Sequence, residues 1–464
     1  MKRMISLALC VVIILSLCAC GDAKKTSSTV LEIGYGRENI MPKDPVPLGG
    51  YGHSERRITS NFLDILYTTC IAFRYGEEII LWCTQDLCGA DWGSYVRPLI
   101  SNATGIPIDH IMICTTHTHS APDMTSSEAS IGAYKALYAE QSIQAAQKAI
   151  EDLAPGKLYG TTTVADLNFI RHYELNDGTY AGDNFGDWSS GIKGHATKND
   201  PEMQLVKIER EGDKQDILLM NWQAHPCKTG GGTKTDISAD FIGGTREAVE
   251  AQTDMLFAYF TGAAGNHNTS SRIEGEAPQL DHREFGQEMC RIALEALPNL
   301  KPFEGEGIKI VELNYEAAIN HDDEHLVKEA REVRDLWDQD GGDATRATAL
   351  ARSYGISSVH HAGAILARPS RPKTGTLGIY AAYIAGFSFI TAPNELFAAT
   401  GRYVKENTPF DMTFICTCTN LSQGYLPTME AYDYGCYESY TSYFAKGTAE
   451  ALQEEFVNLL NGLQ

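Results

Sequence analysis

The sequence contains no Cys-x-x-Cys pair, which argues against a cysteine-built zinc site or a thioredoxin-type motif. It also lacks the cysteine density of a disulfide framework. Of its 12 cysteines those beyond Cys20 are odd in number and widely spread, and Cys70 in YTTCIAF and Cys83 in IILWCTQ sit inside apolar runs, as small core residues do. Positive charge is scarce: 38 Lys and Arg face 60 Asp and Glu, for a net charge of -22. A nucleic-acid backbone needs a concentrated basic face, so that partner is set aside. Internal repeats are absent, as are low-complexity linkers past Ser28.

What is present begins with a leader. Lys2 and Arg3 precede an apolar stretch from Met4 to Leu17, followed by LCACG. This pattern reads as a secretory signal over residues 1–20 with a bacterial lipobox, so Cys20 is the expected lipidated N-terminus after cleavage. Residues 21–30 read as a tether, and the protein is expected outside the cytoplasm, anchored to a bacterial membrane by acyl chains; the alternative is plain secretion. Residues 31–464 read as one domain.

Strand-like runs such as EIILWCTQD, HIMICTT, DILLMNWQAH and GFSFITAP interleave with amphipathic helical stretches along the whole length. That pattern predicts an α/β fold with a mixed β-sheet core flanked by helices. The stretch from Asp322 to Arg352 alternates charge signs like a solvated helix face, and no chemistry is assigned to it.

Functional side chains in such folds gather where strands give way to loops. Four endings carry suitable groups: His117 and His119 in ICTTHTHSAPD, His225 in LLMNWQAHPC, Glu395 in FITAPNELF and Tyr425 in CTNLSQGYLPT. Strand alternation puts His117 and His119 on one side of the chain. Imidazoles, a carboxylate and a phenol suit Zn²⁺ at about 2.0–2.2 Å. A lone strand-end histidine is usually structural, but two same-face imidazoles are costly to bury for packing alone, so the pair points to metal binding or catalysis. Which histidine does which is left open by spacing. A metallo-β-lactamase pattern needs an aspartate where this chain has Ala121. An amidohydrolase barrel opens on its H-x-H, which here comes only after several strands.

Five segments in order, IGYGRENIMPKDPVPLGGYG, THTHSAPD, HPCKTG with SADF, APNELFAATGR and GYLPTMEAYDYGCYE, resemble the catalytic domain of the neutral/alkaline non-lysosomal ceramidases. The resemblance runs from Leu31 to Phe444. It implies a zinc-dependent amidase in which His117, His225, Glu395 and Tyr425 hold the metal. His119 would then stand beside the metal and transfer protons, while Arg171 and Tyr437 would be the active-site arginine and second tyrosine, donating to the developing oxyanion. The implied reaction is water attack on the carbonyl of a linear N-acyl amide, ceramide or a related N-acyl lipid.

Three departures qualify this. The family's Gly-Asp-x-Ser-Pro stretch appears as AAGNHNTSS, with Asn266 and Asn268 in place of Asp and Ser, so a serine-nucleophile mechanism would need Ser270 or Ser271; His267 in the altered Gly265–Asn268 loop has no assigned role. The family's C-terminal β-sandwich has no counterpart after the CYESYTSYF segment, and a calcium or magnesium site depending on it is not expected. The RHYELNDGTYAGDNFGDWSSG region differs from the family form, which makes amide hydrolysis the firmer inference and ceramide the softer one. The rival readings are a metal-dependent hydrolase of another ester or amide, and a non-catalytic surface lipoprotein binding a lipid or glycan.

Overall fold

Strand Glu78–Gln85 shows how the layers arise. Ile80 and Trp82 enter one apolar cluster, while the intervening Leu81 and Cys83 enter another, as period-2 alternation with two apolar faces requires. Such a strand must be covered on both sides. The computed structural model describes residues 29–51, 57–231 and 233–464; the leader, Cys20 and the tether up to residue 28 lie outside the described residues.

The large sheet contains β1 (Leu31–Asn39), β2 (Tyr67–Tyr75), β3 (Glu78–Gln85), β4 (Ile111–Thr115), β5 (Ala154–Val164), β6 (Glu202–Arg210), β7 (Ile217–Trp222) and β8 (Leu256–Thr261). Their order is β8-β7-β6-β5-β1-β2-β3-β4, with Lys301–Pro302 added to β5. The terminal pairs, β3 with β4 and β7 with β8, are parallel. Parallel neighbours need a crossover, supplied by α1 (Gly93–Thr104) and by α2 (Asp240–Gln252).

Among the described residues the two halves of this sheet pair as strands only where Glu32 and Ile33 meet Pro155 and Ala154. From that corner it curls until its far strands meet. Trp82 of β3 stacks on Phe260 of β8 with centroids 3.7 Å apart, and the Thr261 hydroxyl donates to the Thr115 carbonyl at 3.0 Å. The curl brings the chain beyond β4 and the chain beyond β7 to one place.

A second sheet, β9 (Ile308–Ala318), β10 (Thr374–Ile384), β11 (Phe387–Thr391) and β12 (Thr413–Cys416), packs on the first. Trp82, Phe260, Phe387, Phe389 and Phe414 fill the layer between them. Helices cover the outer face of each sheet, with Leu452 and Phe456 of Thr448–Asn461 lying on the second. The mixed, helix-flanked α/β architecture is therefore as expected, but the core holds two sheets. Among the described residues no helix is long and apolar enough to cross a membrane.

The charged stretch from Asp322 onward folds into three helices, Val327–Gln339, Ala344–Ser353 and Val359–Ala367. Trp337, Val333 and Ile365 give them a small core of their own. The alternation of charge marks their outer faces only.

Helix Ala129–Glu151 lies directly on β1. A Cβ at Gly36 would sit 2.0 Å from the Ala145 carbonyl oxygen and 2.6 Å from Ala149 N. Gly36→Ala must therefore push helix and strand apart, and is expected to cost about 3 kcal/mol, read as a lower urea midpoint at unchanged slope.

Candidate metal centre

Beyond β4 the chain leaves the extended conformation. His117 adopts φ 66°, the left-handed region that non-glycine residues seldom occupy, with its N–H donating to the Leu87 carbonyl at 3.0 Å. His117 and His119 do face one another, with Nε2 atoms 3.3 Å apart, but this turn brings them together and not strand alternation. Close packing seats His119: a Cβ at Gly50 would lie 2.4 Å from its ring, and one at Gly230 would lie 3.2 Å from its Cβ. The buried Arg57 donates to the His119 carbonyl at 2.9 Å and lies over the Tyr51 ring, which meets His119 edge-on.

Glu395 and Tyr425 arrive on a short parallel pair, Glu395–Leu396 with Tyr425–Leu426, in direct register. Glu395 Oε2 lies 3.0 Å from His225 Nε2 and 3.4 Å from His117 Nε2. His117 Nδ1 is 2.5 Å from the Cys88 carbonyl, and His225 Nδ1 is 2.9 Å from that of Ala264. A carbonyl only accepts, so each Nδ1 carries a proton and it is each Nε2 that faces Glu395. The donor atoms of His117, His225 and Glu395 lie within 4.8 Å of one another.

These buried groups compete for positive charge. Burial opposes a charged His117, yet the Glu395 carboxylate outweighs it and raises the imidazole well above its ordinary value. Glu395 is held well below its own range, because His117 and His225 outweigh burial. His225 is lowered to about 4 by burial and by Arg171, and His119 falls well below the usual value through burial and the neighbouring His117. Once a cation displaces the His117 Nε2 proton, two nitrogen lone pairs and one ionised oxygen face a common centre, a set that fits a divalent cation of borderline softness.

Cys88 offers a second grouping with His117 and His119 within the same distance limit. Sequence reasoning passed over this thiol. Burial pushes its pKa up to about 12, so it keeps its proton and is the poorer ligand beside an ionised Glu395. Burial and the Glu395 charge raise the Tyr425 phenol well above its usual range.

Arg171 is fully buried beside this cluster. Its guanidinium lies over the Tyr425 ring at 5.2 Å, with Nη1 3.5 Å from His225 Nε2, while Nη2 donates to Glu438 at 2.7 Å and to the Gly265 carbonyl at 2.8 Å. Both N–H groups of Nη2 are thus committed within the protein. Tyr437 meets Tyr425 edge-on at 6.0 Å, and burial pushes its phenol up to about 12.

Glu438 was not found from the sequence, although it adjoins Tyr437 and joins Arg171 to His172. Burial opposes its ionisation, but Arg171 and His172 outweigh this and bring its pKa down to about 2. The stability it contributes is present above the ordinary glutamate range and is lost as pH falls toward 2. Glu438→Ala strands a buried guanidinium and is expected to cost about 3–5 kcal/mol at pH 7 by urea unfolding.

The altered loop is a brace. His267 accepts from the Asp200 N–H at 3.0 Å and donates to the Ala263 carbonyl at 3.1 Å, so it is a satisfied neutral imidazole, lowered to about 3 chiefly by burial. Asn266 Oδ1 accepts from Ala398 N at 2.9 Å, and Asn268 donates to Asp183 at 2.8 Å. Ser270 is exposed and the Ser271 hydroxyl binds Glu276, so neither joins the donor cluster.

A curled mixed sheet packed on a smaller one, with a histidine-carboxylate cluster where their strand ends meet, defines an α/β fold with a candidate metal centre. Solved structures specify the fold further: it is that of the neutral ceramidases. The chain superposes on neutral ceramidase from Pseudomonas aeruginosa with a TM-score of 0.67 at 16% identity, covering 94% of this chain and 75% of that one. A ceramidase complexed with C2 gives a TM-score of 0.69, again at 16% identity with 94% and 75% covered. No family model matches the sequence, and no curated protein matches it.

Proposed function

We propose that the protein is a zinc-dependent hydrolase of linear N-acyl amides, with ceramide and related N-acyl lipids as the first substrates to test. The observation that carries this reading is the convergence of His117 Nε2, His225 Nε2 and Glu395, each imidazole pinned through its other nitrogen to a backbone carbonyl. The ceramidase fold supports it.

In this reading His117, His225, Glu395 and Tyr425 hold the zinc. Bound zinc supplies a water acidified toward a pKa of about 7 and polarises the amide carbonyl. His119, neutral and with no hydrogen-bond partner for Nδ1 among the described residues, takes a proton and returns it to the leaving amine. Arg171 places positive charge beside Tyr425, and Tyr437 offers a phenolic donor to the developing oxyanion. Lipidation at Cys20 would hold the enzyme at the outer face of a membrane, where N-acyl lipids are at hand.

The test is metal analysis of the purified protein together with a mass-spectrometric screen of N-acyl amides, ceramides included, with and without a zinc chelator. About one zinc per chain and chelator-sensitive release of free amine are expected. A zinc-free protein whose hydrolysis survives the chelator contradicts the proposal.

A further inference from the structure

Arg171 is fastened by a residue that the donor cluster does not contain. Its main chain is pinned on both sides, since its N–H donates to the Asn266 carbonyl at 3.0 Å and its own carbonyl accepts from the Asp183 N–H at 2.9 Å. The side chain is held at its far end, where Nη2 donates to Glu438 Oε1 at 2.7 Å and to the Gly265 carbonyl at 2.8 Å. Nε has no hydrogen-bond partner among the described residues, so the Nη2 bonds set the plane of the guanidinium. In that plane Nη1 stands 3.5 Å from His225 Nε2, and the group lies over the Tyr425 ring. Nη1 thus faces the donor cluster, where the amide reacts in the proposed function.

Glu438 is itself immobilised. Its Oε2 accepts from His172 Nε2 at 2.6 Å, and His172 Nδ1 lies 3.2 Å from the Tyr434 hydroxyl. Both carboxylate oxygens are committed and only 1% of the residue is exposed, so the group has no solvent to swing toward. It belongs to the short helix Tyr437–Thr441, whose first residue is the tyrosine that meets Tyr425. One turn of chain therefore supplies a phenolic donor and the fastening for the arginine. A buried ion pair alone argues little for a role, because well-packed apolar residues often replace one without loss. This pair differs in what it leaves free, since one terminal nitrogen is tied down and the other is aimed at the donor cluster.

We propose that Glu438 is a positioning residue for amide hydrolysis, clamping Arg171 Nη2 so that Nη1 is presented to the oxygen of the amide carbonyl. This deepens the amide-hydrolase reading and rests on it. The zinc-loaded wild type, Glu438→Gln, Glu438→Asp, Arg171→Gln and the double variant of Glu438→Gln with Arg171→Gln are compared on N-butyrylethanolamine and a short-chain ceramide, with circular dichroism and zinc content as controls. Glu438→Gln is expected to lower kcat about 10-fold with KM and zinc content unchanged, Arg171→Gln about 100-fold, and the double variant no more than Arg171→Gln. Glu438→Asp keeps the charge but draws the oxygens back by one methylene, and is expected to lower kcat about 5-fold. If Glu438→Gln does not fold, Glu438→Asp carries the same cycle. Losses that multiply in the double variant, or an unchanged kcat in the Glu438 variants, overturn the clamp, because a purely structural pair lowers the urea midpoint and leaves the turnover of folded protein intact. Titration calorimetry with butyrate, a carboxylate whose oxygen stands in for the carbonyl, reads the same coupling without turnover. Wild type is expected to bind butyrate about 10-fold more tightly than Glu438→Gln or Arg171→Gln, with the double variant no weaker than Arg171→Gln. That pattern in a protein that cleaves no amide keeps the clamp, and the hydrolase reading alone fails. Equal butyrate affinity in wild type and Glu438→Gln, or no butyrate binding by wild type, overturns the clamp.

Discussion

Glu395→Gln is expected to yield a folded protein whose zinc content falls from about one per chain toward none and whose N-acyl amide hydrolysis drops by more than about 10³-fold. Glu395 is the only carboxylate in the His117 and His225 donor group, and its Oε2 is the atom both imidazoles approach. Glutamine keeps the shape but removes the negative charge, and its amide can turn an N–H toward a nitrogen lone pair. Zinc contributes several kcal/mol of transition-state charge stabilisation, and about 1.4 kcal/mol corresponds to one decade in rate. Inductively coupled plasma mass spectrometry of the purified variant, with circular dichroism as the control for folding, reads both parts. Full zinc with full activity would remove Glu395 from the centre.

His119→Asn is expected to behave differently: zinc stays at about one per chain while hydrolysis falls by about 10²–10⁴-fold. His119 Nε2 is only 3.3 Å from the His117 Nε2 that faces the metal position, yet His119 is absent from the group formed by His117, His225 and Glu395. Burial and His117 keep it neutral, the state a proton acceptor needs. Asparagine retains polarity without a titratable nitrogen, so the bell-shaped pH dependence of kcat should lose one limb. If His119→Asn loses zinc as Glu395→Gln does, then His119 is a ligand and the two histidines exchange roles.

The donor residues were legible because each follows an apolar strand, and strand ends are where a sheet presents chemistry. Strand ends marked His117, His225, Glu395 and Tyr425, and the structure brings the first three together with Tyr425 in register beside Glu395. The means of their meeting was not legible. The left-handed turn at His117 depends on contacts with Leu87 and Cys88, and the curl of the large sheet depends on Trp82 reaching Phe260 across the fold. Glu438 could not be read because its partners Arg171 and His172 are distant in sequence, and nothing local marks a buried carboxylate. The second sheet was hidden for a similar reason, since alternation tells that Phe387 and Phe389 are buried on one face but not which sheet covers them. The glycines of the GGYG and KTGG segments acquire a physical reason only in the fold, where Gly50 and Gly230 leave room for His119.

Anomalous diffraction from crystals of the zinc-loaded protein at the zinc absorption edge tests the metal centre most directly. One peak is expected, with His117 Nε2, His225 Nε2 and a Glu395 oxygen about 2.0–2.2 Å away and His119 outside that distance. A peak coordinated by Cys88 and His119, or no peak between His117 and His225, would contradict the assignment.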